Sequence, residues 1–191
     1  MRILEYVKER MKMLKGPLLA GDMDTCGELL AIQAENWIGV SEVGNNSGPE
    51  VELFQKALDG KAAGEPWCCA FVAYCILAVQ RHNGRPPVVP LSEHCLTMWQ
   101  KAPAAQKTQV PIIGSLQVWQ HGTSSNGHIG IVTRGCKDVR YVYTVEGNTS
   151  PDASGDKSVV REGQGVYEKL RPVSGSVGDM HILGYILPWS K

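Results

Sequence analysis

The sequence predicts an α+β fold, with helices from the N-terminal half packed on an antiparallel β-sheet from the C-terminal half. Two observations carry this expectation. As far as Pro103, apolar residues recur at helical spacing between Gly- and Pro-rich breaks. After Pro103 the pattern changes to alternation in "GSLQVWQHG", "GHIGIVTR", "RYVYTVEGN" and "HILGYILPW", with glycines between the runs. Helices first and strands afterwards is the α+β order, whereas strict alternation of the two would predict a parallel sheet. A chain of 191 residues is expected to form one domain over residues 1–191, with 1–25 as an N-terminal helical extension.

The elements follow in order. Ile3, Leu4, Val7, Met11 and Leu14 share one helical face. "GPLLAGDMD" interrupts, and a second helix is expected from Asp24 or Thr25, with Leu29, Leu30, Ala34 and Trp37 inward. "IGVSEVGNNSGPE" reads as a loop, and "VELFQKAL" (Val51–Leu58) as a short helix. Cys68–Val79 is apolar almost all round, the mark of a buried helix, and Pro66 suits its start because its missing N–H costs nothing there. "RHNGRPPVVP" ends that helix, and "SEHCLTMWQKA" predicts another, with Ser92 as its cap.

Composition excludes several function classes. Lys and Arg together number 19, as do Asp and Glu, so the formal net charge is zero. No basic stripe points to nucleic acid, and no polybasic segment points to a membrane surface. No apolar run approaches the roughly 20 residues of a membrane-spanning helix. The charged, amphipathic "MRILEYVKERMKMLKG" lacks the apolar centre of a signal peptide. Synthesis in the cytoplasm is the expectation, with delivery by other means if the protein acts outside, and a monomer as the simplest assembly. The six cysteines show neither a disulfide framework nor a C-x-x-C. Adjacent Cys68 and Cys69 on a helix diverge by about 100° and do not share a metal easily, so no metal or other cofactor is expected. Glu42, Asn45 and Asn46 in "SEVGNNSG" offer oxygen ligands but lack the spaced Asp residues of a calcium loop. Cys26, Cys75, Cys95 and Cys136 read as packing residues.

The chemistry concentrates in three motifs. "EPWCCAFVAYC" places a thiol at a helix start, where the helix dipole favours the thiolate. "NGHIGIV" and "VEGN" flank "RGCKD", which reads as a hairpin connection. A turn centred at Lys137 puts His128 nine residues before it and Glu146 nine after, directly across an antiparallel pair. Asn148 then faces the same side as Glu146. A thiol, an imidazole and a group that orients the imidazole form a nucleophile–base–orienter set.

In this order and at these separations, the three motifs resemble the CHAP-type cysteine peptidoglycan amidases and endopeptidases of the NlpC/P60 (papain-like) superfamily. The resemblance runs from about Leu29 to Asn148. It implies a papain-like fold and a peptidoglycan substrate. It makes Cys68 the nucleophile in preference to Cys69, and His128 the base in preference to His121. Glu146 would orient the imidazole with help from Asn148, and Trp67 and Trp119 read either as core-filling aromatics or as candidates for the substrate cleft. Ser115 stands where many relatives carry Asp. The implied activity is cleavage of an amide bond of the wall peptide, as an N-acetylmuramoyl-L-alanine amidase or an endopeptidase, in a phage endolysin or a delivered effector. The alternatives are a catalytically silent CHAP-like binding or structural module, or a cysteine protease or acyltransferase acting on protein.

Overall fold

The computed structural model of the chain describes residues 25–151 and 163–190. The helix expected over Ile3–Leu14 lies outside the described residues. Among the described residues, four α-helices come first: α1 (Thr25–Glu35), α2 (Pro49–Asp59), α3 (Cys68–Asn83) and α4 (Cys95–Lys101). Seven strands follow: β1 (Lys107–Thr108), β2 (Leu116–His121), β3 (Gly127–Gly135), β4 (Tyr141–Thr149), β5 (Gly165–Pro172), β6 (Ser176–Val177) and β7 (Met180–Ile186). They form one antiparallel sheet in the order β1-β7-β2-β3-β4-β5, with β6 paired to β7. This is the α+β arrangement expected from the sequence. No helix among the described residues is long and apolar enough to cross a membrane.

Helix boundaries follow local chemistry. Pro49 opens α2, and Gly60 closes it in the left-handed conformation at φ 80°, its N–H donating to the Lys56 carbonyl at 3.1 Å. Gly84 ends α3 in the same way. For α4 the expected Ser92 cap is displaced by two residues: His94 is the N-cap, and Ser92 Oγ instead accepts from the His94 N–H.

Helix α3 is the hub of the core. Phe71, Val72, Cys75 and Ile76 are fully buried, and each large apolar side chain buried there contributes about 1.5–3 kcal/mol. Trp37, Phe54, Trp67, Phe71 and Tyr74 form a chain of edge-on and stacked rings joining α1, α2 and α3. The sheet meets these helices through Ile129, Ile131, Val145 and Val166. Gly147 allows the close approach of β4 to α3, because a Cβ there would stand 2.8 Å from Phe71 Cβ and from Trp67 Cζ3.

The β3–β4 register differs from the expected one. Ile131 pairs with Val145 and Val132 with Thr144, whereas Arg134 pairs with Tyr143, so Thr133 is the extra residue of a β-bulge. Continued to the start of β3, this register sets Gly130 opposite Glu146 and His128 opposite Asn148. The bulge and the placing of the turn shift the partners by two residues. A two-residue shift keeps each side chain on its face, so His128 and Glu146 still share one side of the sheet.

Candidate active site

Cys68 is the first residue of α3 and its side chain borders a cavity of about 360 Å³, with Glu65, Glu93, Cys95, Asn126 and Gly127 also in its wall. It is 7% exposed. The first N–H groups of any α-helix have no intrahelical acceptor, so the start of α3 directs unpaired donors toward this region. Cys69 faces elsewhere: it is fully buried and its thiol donates to the Ser92 carbonyl at 3.0 Å. Burial pushes its pKa well up.

His128 lies near the start of β3 and is fully buried. Its Nε2 is 2.9 Å from Glu146 Oε2. Its Nδ1 has no aligned hydrogen-bond partner, and the ring interacts with the Cys68 thiol. Glycine at 130 makes the imidazole–carboxylate contact possible: a Cβ there would stand 2.6 Å from Glu146 Cγ. The Glu146 side chain occupies that space and reaches along the strand to His128, a diagonal contact where the sequence suggested a directly opposed one.

Glu146 is itself held firmly. Arg171 Nε donates to Oε1 at 2.7 Å and Arg171 Nη2 to Oε2 at 2.6 Å, while Thr144 Oγ1 donates to Oε1 at 2.7 Å. Glu146 and Thr144 are fully buried and Arg171 is 2% exposed. Burial alone would raise the carboxyl pKa, but the Arg171 guanidinium, aided by His128, holds it well below the usual range. For His128, burial alone would lower the pKa, yet the Glu146 charge and the contact with Cys68 raise it to about 9. The Cys68 thiol is pushed well above its ordinary value, first by contact with the Cys95 thiol and then by burial, against the downward pull of His128.

Several expected site residues take other places. Asn148 does not reach the imidazole. It sits in the left-handed region at φ 53°, and its amide oriented to satisfy both neighbours accepts from the Trp67 N–H at 3.2 Å and donates to the Gly163 carbonyl at 2.7 Å. It therefore ties β4 to the residue that precedes Cys68. Trp67 and Trp119 are fully buried, which matches their core-filling reading and not the substrate-cleft one. Trp67 stacks on Phe54 and donates its Nε1–H to Glu42 Oε1 at 2.7 Å. Glu42 Oε2 accepts from the Asn46 N–H, so this loop carboxylate serves as an anchor for the tryptophan and for its own loop. His121, the second choice for the base, is exposed and faces Asp179 at 3.9 Å.

Three residues were missed by sequence reasoning. Arg171 and Thr144 hold Glu146, and Cys95 shares the cavity wall with Cys68. Thr144 was findable, since it shares a strand face with Glu146 two residues away.

Comparison with curated proteins and with solved structures gives no match. The family model of the CHAP domain matches residues 60–148, a stretch that holds Cys68, His128, Glu146 and Asn148 and ends before Arg171. Over that stretch the chain is similar to the CHAP domain, a family of cysteine peptidase- and amidase-type hydrolases that act on peptidoglycan.

Proposed function

We propose that this protein hydrolyses an amide bond in the peptide portion of peptidoglycan, with Cys68 as nucleophile, His128 as base and Glu146 as the group that orients the imidazole. The observation that carries this reading is the line Cys68–His128–Glu146, which begins at a cavity wall and ends on a carboxylate held by Arg171. Glu146 accepts from Nε2–H, which leaves Nδ1 to take the thiol proton. The thiolate adds to the amide carbonyl, the imidazolium returns its proton to the leaving amine, and water resolves the thioester. The Cys68 backbone N–H at the helix start is the proposed donor to the oxyanion. Action on the wall after release or export, as an endolysin or a delivered effector, fits this chemistry.

The test is digestion of purified sacculi followed by mass spectrometry of the products. A new L-alanine amino terminus with a freed muramic lactyl carboxylate identifies an amidase, and new termini within the peptide identify an endopeptidase. Cys68→Ala is expected to abolish release without loss of the fold. Retained activity in Cys68→Ala, with loss in a folded Cys69→Ala, overturns the assignment. The steps need a thiol, an imidazole and backbone donors, so release should persist in EDTA and be lost to iodoacetamide.

A further inference from the structure

The cavity beside Cys68 contains a second thiol that the reaction above does not use. Cys95 is the first residue of α4, and both sulfur-bearing residues lie in the cavity wall as free cysteines. The chain segment that delivers Cys95 is fastened to α3, because the Cys69 thiol donates to the Ser92 carbonyl at 3.0 Å. Cys95 Sγ also lies over the strand start that carries the imidazole, 3.0 Å from where a Cβ on Gly127 would stand. Cys68 and Cys95 line the same cavity wall, close enough for the Cys95 thiol to act on the Cys68 thiol. Both are nearly closed off from solvent, at 7% and 5% exposure, except where the cavity opens. Cys69 is turned to Ser92, and Cys75 is two turns further along α3 and fully buried. Cys95 is therefore the thiol placed to react with an oxidised Cys68.

We propose that Cys95 is a resolving thiol: when a peroxide oxidises Cys68, Cys95 closes a Cys68–Cys95 disulfide that removes the nucleophile reversibly. The inference rests on the reading of Cys68 as nucleophile. The step balances. The Cys68 thiolate attacks one peroxide oxygen, forms a sulfenic acid and releases hydroxide. The proton that His128 took from Cys68 turns the released hydroxide into water, and the Cys95 sulfur then displaces the sulfenic hydroxyl, which leaves as the second water with the Cys95 thiol proton. Two thiols lose two electrons, and hydrogen peroxide becomes two molecules of water. Bond formation draws the two sulfurs across the cavity wall to about 2.05 Å. Without Cys95, the sulfenic acid is open to further, irreversible oxidation.

The reduced full-length protein is treated with a few equivalents of hydrogen peroxide, denatured and alkylated with iodoacetamide. Its intact mass and tryptic peptides are then measured. The expected result is alkylation of four of the six cysteines and a cross-link between peptide 62–81 and the peptide that contains Cys95. Peptide 62–81 also holds Cys69 and Cys75, so fragmentation assigns the bond to Cys68. Release of wall fragments should fall at least tenfold and return with dithiothreitol. In Cys95→Ser and in Cys95→Ala, Cys68 should instead gain two or three oxygens. Dithiothreitol should then fail to restore each variant's own untreated rate. Oxygen addition at Cys68 in the unsubstituted protein, or a Cys68–Cys69 link, without the Cys68–Cys95 peptide, overturns the proposal. The cross-link is read by mass, so it is scored whether or not the protein cleaves peptidoglycan. Cross-linking without any hydrolysis refutes only the functional reading, and hydrolysis without cross-linking refutes only the resolving thiol.

Discussion

Neighbouring residues of β4 belong to two different kinds of interior. Val145 faces the helices and is buried with Ile129 and Ile131 in an apolar core. Glu146, the next residue, is just as buried, but its surroundings are Arg171, Thr144 and His128. The helix side needs only apolar area and shape, and tolerates changes that conserve volume. Around Glu146 every hydrogen-bond partner answers a charge or a polar atom, and removing one leaves another buried and unpaired. Stability on the first side is spread over many contacts. On the second it is concentrated in a few bonds that also set the protonation of the candidate base.

Rate measurements give the largest expected separation of the two sides. His128→Ala should lower hydrolysis on the order of 10³-fold, and Glu146→Gln on the order of 10²-fold, since the second variant keeps the base. Ile129→Val, one residue from His128 but on the helix side, should leave the rate within a factor of about two and cost about 1 kcal/mol of stability. Equal losses in His128→Ala and Glu146→Gln would show that orientation, not proton transfer, dominates. Next comes Arg171→Met, which strands the Glu146 carboxylate and should cost about 3–5 kcal/mol in denaturant unfolding. Adding Glu146→Leu makes the polar side resemble the apolar one. It should restore most of the stability while hydrolysis stays low. A double variant as unstable as the single one would refute that contrast.

A pH titration comes third. The His128 pKa rises from 6.5 to about 9 on folding, so the folded state binds that proton more tightly. This contribution is complete below about pH 6.5 and disappears as pH rises through 9. Stability should therefore fall by about 3 kcal/mol across that interval in the unsubstituted protein, and His128→Ala should lack the fall. A flat profile in the unsubstituted protein would mean that the imidazole folds in neutral form. The smallest effect is expected for Thr144→Val, which removes one donor to Glu146 at conserved volume and should cost about 1 kcal/mol, measured by chemical denaturation.

The same contrast explains what could be read in advance. Helix α3 obeys the rule that buried helices are apolar, and β2, β3, β4 and β7 alternate, so their existence was legible. Cys68, His128 and Glu146 stood out because their motifs place chemistry at element starts and on one strand face. The two-residue register change did not alter that face. Strand β5 was missed because it inverts the usual pattern. Lys169 and Arg171 are buried, at 3% and 2% exposure, while Leu170 between them is 39% exposed. Hydrophobicity alone marks such a segment as a loop, and Arg171 was lost with it. Asn148 has the expected residue type at an expected position, but its left-handed backbone turns the amide from the imidazole to Trp67. Spacing carries no information about that rotation. The placing of Cys95 beside Cys68 in one cavity wall depends on how the segment before α4 is fastened to α3, and no local pattern records it.

Strand β4 grips both reactants at once. Through Glu146 it holds the imidazole, and two residues later, through Asn148, it holds the backbone in front of the thiol. A displacement of the strand is therefore common-mode: base and nucleophile move together, and their separation changes far less than either absolute position. A fluctuating scaffold with this linkage needs no global rigidity to keep a proton-transfer distance constant, because the tolerance that matters is set within one short strand segment.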